Sequence, residues 1–199
     1  MLVSLVVQLV LLLTSGTDAN TGDPQADVPV ATRLVRLFSY FTIQSNLLVL
    51  AASVTLALDP HRDGRVWRAL RLDALLGITI TGLVYWTLLT RTVDLEGAAL
   101  VSSLGFHLVS PLGTLVVWLL AGPRPRVDRS TARWAFAWPL VWVAGTFVRG
   151  VATGWYPYPF IDAAALGYGP PLVATAAVLV LGVLVVLLLR RLDRRLPAR

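Results

Sequence analysis

The sequence predicts an all-α fold: a polytopic transmembrane helical bundle of six spans, the first one short, with both termini cytoplasmic. Three observations predict it. Of 199 residues, 56% are hydrophobic and only 14% charged, where a soluble domain carries roughly 25% charged residues. Mean hydropathy is +0.73, and the apolar residues gather into stretches of about 20, the length a spanning helix needs. The basic residues, all 17 of them Arg, fall in alternate connections. So much apolar surface excludes intrinsic disorder, and the absence of cysteine excludes a disulfide scaffold.

The spans follow in order. Residues 1–14 are apolar but short, and nothing basic precedes them as in a signal peptide. Thr17-Asp18-Ala19 is also a poor cleavage site, so the segment reads as a first span, with a cleaved signal segment or a truncated start as the rivals. Full spans are expected at 34–58, 70–89, 98–121, 132–153 and 168–189. The connections are short, so one helical domain is expected over 1–199. No internal repeat is evident, which weakens an inverted-repeat transporter.

Arginine sets the orientation. Arg62, Arg65, Arg68 and Arg71 separate spans two and three; Arg124, Arg126, Arg129 and Arg133 separate four and five. Arg190, Arg191, Arg194, Arg195 and Arg199 follow span six. The alternate connections hold Asp18, Asp23 and Asp27, then Arg91 with Asp94 and Glu96. Thirteen of the 17 arginines thus lie on one side, which the positive-inside rule makes cytoplasmic. The charge of +6 is an orientation marker, and no nucleic-acid partner is expected. The expected location is the cell membrane, and the expected partners are membrane lipids.

The connection at 154–167 is unusual. Trp155, Tyr156, Pro157, Tyr158, Pro159 and Phe160 form an aromatic, proline-rich run unlike a solvated tether. It reads either as a cap across the outer mouth, with Asp162 behind it, or as a simple aromatic belt at the interface.

Polar side chains inside spans are costly and usually face the bundle interior. Ser39, Thr42 and Asn46 recur at helical spacing, with Gln44 and Ser45 beside them. Ser103, His107, Ser110 and Thr114 make a second stripe, Thr81 and Tyr85 a third, and Trp138, Trp142, Thr146 and Arg149 a fourth. Span six is nearly devoid of polar groups and is expected at the periphery. On continuous helices Thr42 and His107 both sit roughly 13–15 Å below the outer end. A hydroxyl and an imidazole at one depth suit a nucleophile and its general base. Interhelical hydrogen bonding explains the same stripes without chemistry.

Pro111 deprives the His107 carbonyl of its helical partner, and Pro139 does the same to Ala135, which suits a kink or a polar cavity. Arg149 and Asp162 are expected either to pair, fastening the cap, or to leave Arg149 for a substrate carboxylate. Arg33 and Arg36 are placed to join such an anion site, although snorkelling is their default role. Asp73 is expected to pair with Arg71 or a neighbouring arginine. With two His, one Glu and no Cys, no metal site is expected, and no cofactor. There is no phosphate loop, and no acid lies near His107 in its own helix to complete a triad.

Tyr40-Phe41-Thr42-Ile43-Gln44-Ser45-Asn46, Thr81-Gly82-Leu83-Val84-Tyr85, His107 with Pro111, and Gly154-Trp155-Tyr156-Pro157-Tyr158-Pro159-Phe160-Ile161-Asp162 together resemble a bacterial integral-membrane family of largely unassigned function. The resemblance covers nearly the whole chain from Arg33 onward. More remotely, through the Thr, the His and the Tyr-Pro-Phe segment, that pattern is similar to the animal androgen-induced and androgen-dependent membrane hydrolases. Those are threonine hydrolases of fatty acid esters of hydroxy fatty acids, and the resemblance implies Thr42 and His107 as the catalytic pair. The Gln-Ser-Asn after Thr42 departs from the animal pattern and leaves the substrate open. The family's first span is usually complete, so its shortness here leads us to expect a start assigned too late.

Two function classes follow. One is an intramembrane lipid-ester hydrolase in which Thr42 attacks, His107 takes the proton, Ser45, Asn46 or Tyr85 stabilises the oxyanion, and Arg149 meets a carboxylate or head group. The other is a non-catalytic lipid or small-molecule binder, or a transporter, using the same polar cavity.

Overall fold

A computed structural model describes residues 1–18, 22 and 25–197. Among them there are helices and no β-strand element. The helices are α1 (Leu2–Thr14), α2 (Val30–Ser39), α3 (Phe41–Leu58), α4 (Arg65–Val84), α5 (Gly97–Leu104), α6 (Ser110–Ala121), α7 (Arg129–Trp134), α8 (Ala137–Thr153), α9 (Ala163–Leu166) and α10 (Gly169–Arg195). Two π-helical turns, Tyr85–Leu89 and Gly105–Val109, continue α4 and join α5 to α6. Five helical stretches are long and apolar enough to cross a membrane: Phe41–Leu58, Arg65–Leu89, Gly97–Ala121, Arg129–Thr153 and Gly169–Arg195. The chain is accordingly a multi-pass membrane protein in character, with α1 as a shorter apolar helix.

The central helix is α4, whose most apolar stretch is 67% buried against 22–28% for the other four. Small residues allow that position, because they let helix backbones approach closely. A Cβ on Gly77 would lie 2.8 Å from Ser45 Oγ and 2.9 Å from a Trp138 ring carbon, and one on Gly82 would lie 3.1 Å from Pro111 Cβ. Around α4, α10 turns Leu172, Val173, Val180 and Leu184 outward. It is peripheral because a helix with nothing polar to hide can face lipid on most of its surface.

The two ends of the bundle differ in charge. At one end the loops after α3 and α6 meet: Asp63 binds Arg68 at 2.6 Å and also binds Arg126. Asp193 of α10 accepts from the Arg126 and Val127 amides at 2.8 Å each. At the opposite end α2 is tied to α1 and to the residues just before it. Arg33 there donates to the carbonyls of Leu12 (2.9 Å), Ala26 (2.5 Å) and Val28 (2.6 Å), and Tyr40 donates to Asp18 at 2.8 Å. Asp23 and Arg199, both part of the charge pattern, lie outside the described residues.

Two expected spans are not continuous helices. The one at 34–58 is interrupted at Tyr40, whose φ of −65° and ψ of 132° are extended. The carbonyls exposed by the break are taken up by side chains: Gln44 Nε2 donates to Phe38 at 2.9 Å and Trp142 Nε1 to Ser39 at 2.9 Å. The span at 132–153 is interrupted at Ala135 and Phe136, between α7 and α8, beside the carbonyl that Pro139 cannot serve. Of the remaining spans two run longer than the apolar count because Arg-bearing turns extend them, α4 from Arg65 and α10 to Arg195, while those at 1–14 and 98–121 keep nearly their expected bounds.

Candidate functional site

The break at Tyr40 decides where Thr42 sits. Thr42 is the second residue of α3, not a mid-helix position below Arg33 as a continuous helix would make it. The first amides of a helix have no intrahelical partner, and here the Thr42 N–H donates to the Tyr158 hydroxyl at 3.1 Å. The nucleophile candidate therefore lies at the electropositive end of α3.

His107 reaches the same point from the π turn at Gly105–Val109, a helix irregularity frequent at functional sites. Its Nε2 is 3.3 Å from Thr42 Oγ1. Its Nδ1 is 2.9 Å from the Ser103 carbonyl oxygen and 3.1 Å from Ser103 Oγ. A carbonyl can only accept, so Nδ1 carries the proton and the Nε2 lone pair faces the threonine hydroxyl. Thr42 then donates to Nε2. Tyr158, whose hydroxyl is 3.2 Å from Thr42 Oγ1, donates in turn to that oxygen. Thr42 is 3% exposed and His107 2%, so this relay is shielded from solvent. Burial pushes the Tyr158 phenol up to about 12, which keeps it a neutral donor.

Further groups hold the imidazole. Tyr85, on the other π turn, stacks on it with ring centroids 3.9 Å apart and planes at 13°. The Tyr85 hydroxyl accepts from Ser103 Oγ at 3.1 Å. The His107 carbonyl, deprived of one partner by Pro111, takes a hydrogen bond from Trp86 Nε1 at 3.1 Å.

A cavity of about 80 Å³ runs from Thr42 and Tyr158 along α4, between α8 and α10. That exceeds the roughly 10–15 Å³ one water needs. Its walls are almost wholly apolar, including Leu76, Ile80, Val143, Val178 and Leu179. Thr81 lines it, and its hydroxyl is buried without a hydrogen-bond partner. Such a slot favours a hydrocarbon chain over a polar metabolite.

The other candidates are dispersed. Asn46 Nδ2 donates to the Thr42 carbonyl at 2.9 Å and to the Phe106 carbonyl at 3.4 Å, so its amide is committed to backbone. Ser45 lies against Gly77 and its hydroxyl has no partner. Neither points a donor at Thr42 Oγ1: Asn46 shares its face of α3 but spends its amide on the two carbonyls, and Ser45 is turned to Gly77 of α4. The stripe of span four divides likewise: Ser103 and His107 serve this site, whereas Ser110 and Thr114 line a different cavity. Ser39, on the far side of the break, accepts a hydrogen bond from Arg149.

Arg149 and Asp162 do not pair. Arg149 lies over the Trp155 ring, 4.4 Å from its centroid, with Nε and Nη2 unpartnered. Asp162 instead caps α9, accepting from Ala164 and Ala165 at 2.9 and 3.0 Å. Arg36 stands 5.3 Å from the same Trp155 ring. Arg33 is spent on backbone carbonyls and takes no part. The expected pair of Asp73 with Arg71 is also absent: Asp73 is 4% exposed and its Oδ1 is unpartnered. Two residues along a helix point about 200° apart, which carries the two side chains away from each other.

The run after Gly154 folds onto the ends of α2, α3 and α8. Trp155 packs edge-on against Tyr40 at 5.8 Å, Tyr156 against Phe147 at 6.0 Å, and Tyr158 against Tyr40 at 5.6 Å. Pro157 is buried and Pro159 exposed, opening a 3₁₀ turn. Sequence reasoning placed Tyr158 in a cap and missed its contact with Thr42. It also missed the Ser103 carbonyl, although a position four residues before His107 is where an i−4 partner would stand. Among the described residues no three of His, Cys, Asp and Glu converge on a metal site. Comparison with protein-family models, with characterised proteins and with solved structures returned no match.

Proposed function

We propose that this protein is an intramembrane hydrolase of a lipid ester, with Thr42 as nucleophile and His107 as general base. The observation that carries the reading is the Thr42–His107 contact at 3.3 Å, with the His107 tautomer set by the Ser103 carbonyl behind it. Thr42 Oγ1 attacks the ester carbonyl carbon as its proton passes to Nε2 of His107. The tetrahedral intermediate collapses, the alkoxide leaves with that proton, and an acyl-threonine remains. Water, deprotonated by His107, then cleaves the acyl-threonine and returns the proton to Thr42. The sum is ester plus water giving acid plus alcohol.

The Tyr158 hydroxyl, 3.2 Å from Thr42 Oγ1, is the donor that turns to the developing oxyanion, a role in which fixed dipoles count most. The apolar cavity takes the acyl chain, entering between α8 and α10. Arg149 and Arg36, both against the Trp155 ring, meet a carboxylate or head group. The resemblance to the membrane threonine hydrolases supports the same pair of residues. The protein spans the cell membrane six times, α1 included, with both termini on the Arg-rich cytoplasmic side. Thr42 and His107 then act from its outer half.

The test is labelling of purified protein by a fluorophosphonate. The proposal expects a label on Thr42 that is lost in Thr42→Ala and His107→Ala while both variants stay folded and monodisperse. No label on the wild type overturns it and favours a lipid-binding protein with the same apolar cavity.

A further inference from the structure

A second cavity, of about 730 Å³, lies at the Arg-rich end and is separate from the Thr42 site. It is a groove with α4 as its floor and α3 and α6 as its walls, lined by apolar side chains such as Val49, Leu56, Val117 and Trp118. Arg71, Arg126 and His61 stand along it.

The charges in this groove are not balanced within the protein. Arg71 forms no ion pair among the described residues. Asp63 is shared between Arg68 and Arg126, and Asp193 is turned to backbone amides. Asp73, two residues beyond Arg71, is buried elsewhere in the bundle. Arg68 and Arg126 therefore share one carboxylate and Arg71 has none, beside an apolar groove at the boundary of a membrane span. A cation there either snorkels to water or recruits an anion, and basic pockets between spanning helices suit anionic lipid head groups.

We propose that this groove binds an anionic phospholipid, its acyl chain lying between α3 and α6 over α4 and its head-group phosphate meeting Arg71 and Arg126. A chain in the groove covers the exposed apolar walls, and a net negative head group supplies the charge that the protein does not.

The full chain is reconstituted in phosphatidylcholine vesicles doped with phosphatidylglycerol or phosphatidylcholine carrying brominated chains, and tryptophan quenching is read. Trp118 forms part of the groove wall, so brominated phosphatidylglycerol is expected to quench more strongly than the zwitterionic lipid. Arg71→Gln is expected to lower that preference about fivefold, and Trp118→Phe to remove the difference. Gly113 also lines the groove and a Cβ there meets nothing within 4 Å. Gly113→Leu therefore fills the space without an initial clash and is expected to reduce quenching of Trp118 by either lipid.

Equal quenching by the two lipids, or a preference that survives Arg71→Gln, overturns the proposal. A preference that persists in Trp118→Phe places the lipid elsewhere, as at the Arg190–Arg195 cluster, and also overturns it. The chain has no cysteine, so a disulfide-linked dimer formed by Gly113→Cys would put a second copy in the groove and overturn it too.

Discussion

The hydroxyl of Tyr158 lies 3.1 Å from the Thr42 backbone nitrogen and 3.2 Å from the Thr42 hydroxyl, across 116 residues of sequence. One side chain thus serves both the free amide at the start of α3 and the side chain proposed to react. The aromatic run that closes this end of the bundle is thereby part of the site as well as its cover.

Tyr158→Phe keeps the ring packing and removes only the hydroxyl. It is expected to leave the buried Thr42 amide unsatisfied and to cost about 1–3 kcal/mol of stability. Ester turnover is expected to fall roughly 10²-fold if the hydroxyl also steadies the oxyanion. Thermal unfolding and hydrolysis of a lipid ester measure the two effects. Unchanged stability and unchanged rate together would refute both roles.

His107 is expected to be the Nδ1-protonated tautomer. The chain has two histidines, so His61→Gln leaves a single imidazole for ¹⁵N spectroscopy. A protonated Nδ1 and an unprotonated Nε2 are expected. A proton found on Nε2 would mean that His107 cannot accept from Thr42 in the resting state.

The cavity beside Thr42 is also lined by Gly182 of α10, where an added Cβ would lie 3.4 Å from Phe136 and 3.8 Å from Leu76. Gly182→Leu is expected to shorten the space for an acyl chain. Turnover of long-chain esters should drop roughly tenfold or more relative to a short-chain ester. The ratio of the two rates is the readout, and an unchanged ratio would place the chain elsewhere.

Asp63 supplies a pH test at the Arg-rich end. The Arg68 guanidinium beside it, more than any other group, holds its carboxyl well below the usual carboxylate range. A lowered folded-state pKa means that the Asp63 contribution is fully present above the ordinary carboxylate value of about 4. It is lost only as pH falls through the folded-state value. Carbon-13 titration of the Asp63 carboxyl is expected to show a depressed midpoint that rises in Arg68→Gln. A midpoint near the ordinary value in the wild type would count against the ion pair.

The sequence by itself determined the membrane character, the helical class and the separation of arginine from the other end, because hydropathy and charge act on each residue where it stands. It also offered Thr42 and His107 as a candidate pair, by their common depth on continuous helices and by the family resemblance. Only the tertiary structure decided how they meet. The break at Tyr40 set Thr42 in the first turn of α3, and the π turn set the direction of His107. These distortions answer to partners far along the chain: Trp142 on the Ser39 carbonyl, Trp86 on the His107 carbonyl, and Tyr158 on the Thr42 amide. The Asp73–Arg71 and Arg149–Asp162 pairings failed for the complementary reason. Nearness in sequence does not bring charged side chains together once helix rotation, an indole face or a free helix cap offers each of them something else.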